Sequence, residues 1–306
     1  MSVPYLGSGP YCYSNSLAMI LGDEAPAVQI IEVLTGSPYG MQLIGGHLPL
    51  FDPFGWDPDQ GLDAAIELLG WSCERSDGGS PADAVRRLRE ACAGGPVLVG
   101  PVELGLLLYQ PSAGKAVAAD HYLVVLEVGD DTVLVHDPQG YPFASLAIDD
   151  FVASWSGELI DYLKHPFAMR SRFVRRAQVA PVEALRRSLP AGLDWLAGRT
   201  DATVAPGTVG QAEAAERTAD LVEAGLDPEV RDLMKAFAVR VGARRLNDLA
   251  VCLGILGLGE GAAVAAEQAR IVGGLQLPLV RGDDAALAAG LRSLAPTYGR
   301  LHAALT

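Results

Sequence analysis

The chain has 306 residues, half of them hydrophobic, with 37 acidic against 23 basic side chains and a net charge of −14. That length accommodates two domains of roughly 100–200 residues each, the apolar content excludes global disorder, and the acidic balance argues against nucleic-acid binding. No apolar run reaches the ~18 residues of a membrane span. No basic stretch followed by an apolar one opens the chain, so no signal peptide is expected. The four cysteines, Cys12, Cys73, Cys92 and Cys252, are widely spaced. They form neither a CxxC zinc pattern nor a disulfide framework, and a reduced, cytoplasmic protein without bound metal is expected.

In chain order, the first informative stretch is Gly7 to Leu21, a small-residue loop running through Tyr11-Cys12-Tyr13 into an apolar, helix-compatible run. A helix starting there puts Cys12 in its first turn. The partial positive charge and unpaired N–H groups of a helix start favour a thiolate and can stabilise an adjacent oxyanion. A buried structural cysteine is the alternative, but Gly and Pro before it and Ser14, Asn15 and Ser16 after it are unusual company for one. Val28–Leu34 is a short helix or strand. Residues 35–62 are rich in Gly, Pro and aromatics. There Tyr39, Phe51, Phe54 and Trp56 either wall a substrate pocket or staple the loop to the core.

A helix over 62–69 stopped by Gly70 follows, then a strand at Trp71–Glu74 and a helix over 81–92 capped by Ser80 or Asp83. Val97–Val102 reads as a buried strand. His121–Val128 and Thr132–Pro138 flank Gly129-Asp130-Asp131 and read as a hairpin. Antiparallel pairing then brings His121 and Asp137 side by side at its open end. Asp149 to Trp155 is a short helix. Lys164, Arg170, Arg172, Arg175 and Arg176 form a basic run, with a domain boundary placed near 165–180. Helices are expected over 181–197, 211–225, 228–256, 259–273 and 283–305. In the third, Val230, Leu233, Phe237, Val241 and Leu249 mark one buried face.

Cys12, His121 and Asp137 together match what a thiol nucleophile needs: a base for the sulfur and a carboxylate to orient the imidazole. No G-x-S-x-G, P-loop or G-x-G-x-x-G competes.

The residues Tyr11–Ser16, Gly95–Val102, Asp120-His121-Tyr122 and His136-Asp137-Pro138-Gln139-Gly140 resemble the papain-like bacteriocin-leader cysteine peptidases, with their order Cys, His, Asp-Pro. They resemble more closely the N-terminal domain of the butirosin-biosynthesis acyltransferase family. The resemblance covers about the first 165 residues. It implies an α+β, papain-like catalytic domain at 1–168 with an all-α domain at 169–306 behind it. It implies an acyltransferase of antibiotic assembly that takes an acyl group from a carrier-protein or CoA thioester to a small-molecule amine. Cys12 is then the acyl acceptor, His121 the base and acid, and Asp137 the orienter. The acyl donor rides on phosphopantetheine, and no cofactor is held by the protein.

The peptidases carry an oxyanion-hole Gln six residues before the Cys, where this chain has Leu6. The donors beside the Cys12 N–H are then to be sought among Ser8, Tyr11, Ser14 and Asn15. The aromatic loop 39–56 is the candidate lid against water. The basic run is either a contact for the donor's phosphate or carrier protein or a solvated linker. The helical half is expected to wall the acceptor side, close the pocket or dimerise. Rival readings are a hydrolase or cyclase with the same three residues, and a non-catalytic papain-like binding module.

Overall fold

The computed structural model describes residues 11–111, 113–199 and 202–306. Helix α1 spans Cys12–Leu21 and α2 Val28–Leu34. A small hairpin follows, β1 Gln42–Ile44 with β2 Leu48–Leu50. Helix α3, Pro58–Leu68, starts where proline is tolerated, at its first position, behind an Asp57 cap on the Gln60 N–H. Next come β3 Trp71–Ser76, α4 Pro81–Cys92 capped by Ser80, and β4 Val97–Glu103. The chain continues with β5 Asp120–Val128, β6 Thr132–Asp137, β7 Tyr141–Ala147, α5 Ile148–Ser156 and β8 Met169–Arg175. The remainder is helical apart from β9, Val209–Gly210, which pairs with β1. The helices are α6 Pro181–Ala197, α7 Gln211–Gly225, α8 Pro228–Leu233, α9 Val239–Ile255, α10 Gly259–Gly274, α11 Gln276–Arg281 and α12 Asp284–Leu305.

These elements form two compact units, 1–28 with 70–178, and 29–69 with 179–306. The protein is thus a mixed α/β chain with an N-terminal sheet unit and a C-terminal helical region. The division differs from the contiguous 168/169 boundary read from the sequence. Residues 29–69 leave the first unit to join the helices, and β8 stays with the sheet.

The first unit is built on a sheet of order β3-β8-β4-β5-β6-β7, with every pairing antiparallel. Its central strands are buried on both faces, which is why Val97–Val102 and Tyr122–Val125 read as unbroken apolar runs. On one face Val97, Val99, Leu123, Val125, Val133 and Val135 pack with Ala84 and Leu88 of α4 and Phe151 and Trp155 of α5. The alternate residues turn to the other face. There Tyr122 meets Tyr13 of α1 edge-on at 6.1 Å. The helix that carries Cys12 therefore lies on the strand that carries His121.

The basic run is not a linker. Arg170, Arg172 and Arg175 belong to β8, an interior strand of the sheet. Arg170 is buried. Arg172 pairs with Glu74 at 2.8 Å, Arg176 Nε donates to Ser72 at 2.7 Å, and Arg175 pairs with Glu24 and lies over the Trp71 ring. Lys164 is exposed and lies before the strand. Arg172, Arg175 and Arg176 thus have side-chain partners within the first unit.

The second unit encloses the aromatic loop. Tyr39, Phe51 and Trp56 are buried there, and Phe54 is half-buried. Gly192 on α6 and Gly242 on α9 make room for them: a Cβ on either would fall 2.7 Å from the Tyr39 ring or 2.5 Å from Phe51. Trp56 Nε1 donates to the Thr35 carbonyl at 2.8 Å. These contacts staple the loop to the core of this unit. The loop is clamped further by Arg245, which is 5% exposed and reaches Glu32 and Asp52 at 2.9 Å each. Its guanidinium also donates to the Phe51 carbonyl and lies over Trp56.

The expected helix 228–256 is interrupted by a π-turn at Met234–Ala238. One residue more per turn rotates the buried face. Met234, Ala238 and Val239 go inside, while Phe237 is 41% exposed. A strict 3.6-residue period through Phe237 therefore failed at the bulge. Among the described residues no helix is long and apolar enough to cross a membrane.

Candidate functional site

Cys12 opens α1 at its first helical position and is half-buried. The residue before it, Tyr11, is left-handed at φ 76° and ψ 53°. That conformation strains a non-glycine residue by ~1–2 kcal/mol. It is held from two directions: the Tyr11 carbonyl accepts from both the backbone N–H and the side-chain Nδ2 of Asn15, each at 2.9 Å. Asn15 thus fixes the turn that presents the sulfur. The first intrahelical bond is the one from the Asn15 N–H, which leaves the N–H groups of the preceding turn outside the helix's own ladder.

His121 and Asp137 are carried by β5 and β6. The register places Val124 opposite His136. One step further Asp137 faces Leu123, so His121 lies diagonally from Asp137, within reach of long side chains. His121 Nε2 bonds Asp137 Oδ1 at 2.8 Å, with both side chains 1% exposed or less. Cys12 is close enough to the same ring to raise its pKa. Since Nε2 is engaged with the carboxylate, Nδ1 is the nitrogen left for the sulfur. His136 is separate: its Nδ1 accepts the Phe143 N–H at 3.1 Å.

The electrostatics follow from this arrangement. Burial alone would lower the pKa of His121, but the Asp137 charge and Cys12 outweigh it and raise it from 6.5 to about 10. Burial likewise opposes ionisation of Asp137, yet His121 and further donors hold its carboxyl below the ordinary value. The geometry favours an imidazolium clamped against a carboxylate.

Asp137 is fully buried and accepts from further donors beside His121. The Gln139 N–H reaches Oδ1 at 2.7 Å, and the Tyr109 hydroxyl and Gln110 Nε2 reach Oδ2 at 2.8 and 3.0 Å. Burial and the Asp137 charge push the Tyr109 phenol well above its usual value, so it remains a donor. Tyr109 and Gln110 are the Asp137 partners that the sequence reading missed. They come from the segment after β4, which has no periodicity to read. That segment is anchored by Glu103, whose buried carboxylate accepts the N–H groups of Gly105, Val117 and Ala118 at 3.0–3.1 Å. A charged residue closing the apolar run Val97–Val102 was the one available signal.

Of the oxyanion candidates, Tyr11 and Ser14 are buried beside Cys12, Asn15 is engaged at Tyr11, and Ser8 lies outside the described residues, as does Leu6. Tyr39, Phe51, Phe54 and Trp56 belong to the second unit, Cys12, His121 and Asp137 to the first. Among the described residues no group of three His, Cys, Asp or Glu is placed to hold a metal ion.

A half-buried Cys12 at a helix start and an ion-paired His121 on an antiparallel sheet thus lie in one mixed α/β unit. Comparison with known proteins adds relatives. Residues 205–306 match a family model described as the YobF C-terminal domain. Over 163 residues the chain is 34% identical to an uncharacterized protein, YobF, of Bacillus subtilis (strain 168). The match covers 52% of this chain and 52% of that protein, so the chain spans about half the length of the curated relative it matches.

Proposed function

We propose that the chain is a cysteine-dependent acyltransferase with a papain-like catalytic unit, acting in natural-product assembly on a thioester donor and an amine acceptor. The observation that carries this reading is the buried His121–Asp137 pair at 2.8 Å, with Cys12 at a helix start near enough to act on the same ring. A cysteine on a helix packed against antiparallel strands that carry the histidine and the carboxylate also supports the papain-like assignment.

In this mechanism Cys12 Sγ attacks the thioester carbonyl while its proton resides on His121. The oxyanion forms beside the α1 N-terminus, where the Cys12 N–H and the helix dipole stabilise it. Collapse breaks the carbon–sulfur bond to the donor, and His121 protonates the departing thiolate. The amine then attacks the acyl-Cys12, His121 takes its proton, and the Cys12 sulfur leaves as the new amide forms. Asp137 holds the ring orientation throughout, and Tyr109 and Gln110 hold Asp137. A cytoplasmic setting suits a free thiol.

A second reading is favoured by one observation. The aromatics expected to exclude water from the acyl-enzyme are buried in the other unit. With water or an internal nucleophile as the acceptor, the same three residues hydrolyse or cyclise a thioester or amide. Intact-mass analysis with a panel of acyl thioesters tests both readings. Acyl mass added to the wild type but not to Cys12→Ala supports the nucleophile. Its discharge to an added amine, rather than to water, supports transfer. No acylation by any thioester would leave the papain-like binding module.

A further inference from the structure

The helical unit carries a groove of about 740 Å³ between α9, α10 and the end of the π-turn. Its floor is small and apolar, with Val239 and Ala243 from α9 facing Ala266 and Ala269 from α10. Its rim is cationic: Lys235, Arg240 and Arg244 approach from one side and Arg270 from the other. Arg240 and Arg244 are one helical turn apart, so their guanidinium groups serve the same stretch of the groove. Among the described residues no acidic side chain lines it.

This concentration of charge is against the trend of a chain with net charge −14. Two nearby carboxylates offset part of it: Asp232 pairs with Lys235 at 3.0 Å, and Asp248 stands 3.7 Å from Arg244. Glu267, an acid of the same helix as Arg270, is engaged bidentately by Arg300 at 2.8–2.9 Å and also feels the Arg270 charge, so Glu267 and Arg300 together add no net charge here. Four cations against two carboxylates leave an excess of about two positive charges, the complement of a phosphate dianion or a diphosphate.

We propose that this groove is a binding site for a phosphorylated small molecule, whose phosphate or diphosphate lies on Arg240, Arg244 and Arg270 and whose uncharged body covers the Val239–Ala266 floor. The volume is that of a small-molecule site. The remainder of the acidic surface repels an extended polyanion beyond a Debye length of ~8 Å, so a nucleic acid or acidic protein is disfavoured where a compact ester is not. The inference does not rest on the acyl-transfer reading.

The test is calorimetric titration of the full-length protein with inorganic pyrophosphate and with adenosine diphosphate, at low salt and at about 0.15 M. Both probes are expected to bind and to weaken with salt, with the ester about tenfold tighter through its contact with the apolar floor. Arg240→Ala and Arg270→Ala, both on exposed side chains, should each weaken binding about tenfold or more. Arg240→Glu should abolish it. Failure of both probes to bind the wild type overturns the proposal, as does binding that the arginine variants leave unchanged. Pyrophosphate binding with no advantage for the ester overturns the placement of an uncharged body on the Val239–Ala266 floor.

Discussion

Replacing Asp137 by Asn tests the electrostatic core of the site. The substitution keeps the shape and leaves an acceptor for His121 and the Gln139 N–H, but removes the charge and turns an N–H group toward Tyr109 and Gln110. Losing charge-assisted bonds at a fully buried position costs roughly 2 kcal/mol at pH 6. The larger effect is on pH dependence. His121 titrates at 6.5 when unfolded and at about 10 in the fold. A raised histidine pKa contributes stability that is fully present below 6.5 and is lost as pH rises through the folded value. Between pH 6.5 and 8.5 the folded ring keeps its proton while the unfolded one releases it. At ~1.4 kcal/mol per pH unit, that contribution falls by up to ~3 kcal/mol. In the Asp137→Asn protein burial dominates, the ring is neutral in both states, and this slope vanishes. The measurement is urea unfolding across that range for Cys12→Ala and for Cys12→Ala with Asp137→Asn. Removing the sulfur also removes its share of the raised pKa, so the slope of the first protein is expected to be smaller than in the wild type but still clearly above that of the second. NMR titration of the His121 ring should show its pKa falling below 6.5. Equal slopes in the two proteins, or a His121 that still titrates near 10 without the Asp137 carboxylate, would refute the reasoning.

Iodoacetamide should label Cys12 first near neutral pH, because burial pushes the thiols of Cys92 and Cys252 up to about 12. Peptide mass spectrometry reads the order, and faster labelling of either of those two would sink the assignment. His121→Ala should slow acylation of Cys12 by ~10²–10⁴-fold, as for loss of a general base, with His136→Ala as the control; single-turnover mass analysis decides. Arg245→Leu leaves Glu32 and Asp52 buried without their cation, and should destabilise the helical unit by ~3–5 kcal/mol in chemical denaturation. A change below about 1 kcal/mol would show that this clamp is dispensable.

Much of the site's skeleton was legible in the chain because it depends on local rules. The apolar run after Cys12 demands a helix, the alternation around Gly129-Asp130-Asp131 demands a hairpin, and hairpin register then fixes His121 and Asp137 near one another. Period and turn chemistry act over a few residues, so a sequence exposes them directly. The same local rules placed α4, β4, α6, α7, α10 and α12. They failed at the π-turn, where one inserted residue shifted the buried face away from Phe237.

Partners that meet only through tertiary packing were decided by the fold. Nothing in the composition of 39–56 says that its aromatics are buried against glycines of distant helices, because a close approach between helix and loop leaves no periodic mark. The basic run has the composition of a solvated linker; only its place between β3 and β4 commits the arginines to the sheet. Tyr109 and Gln110 reach Asp137 from a segment set by the buried Glu103, a contact whose energy exists only once water has been removed. The cationic groove arises because residues spread over 235–270 converge from two helices. By itself the sequence determined the elements and the order of the chemically able residues. The tertiary structure decided which of those residues share a low-dielectric site, and charge pairing and burial both depend on distances that no linear pattern encodes.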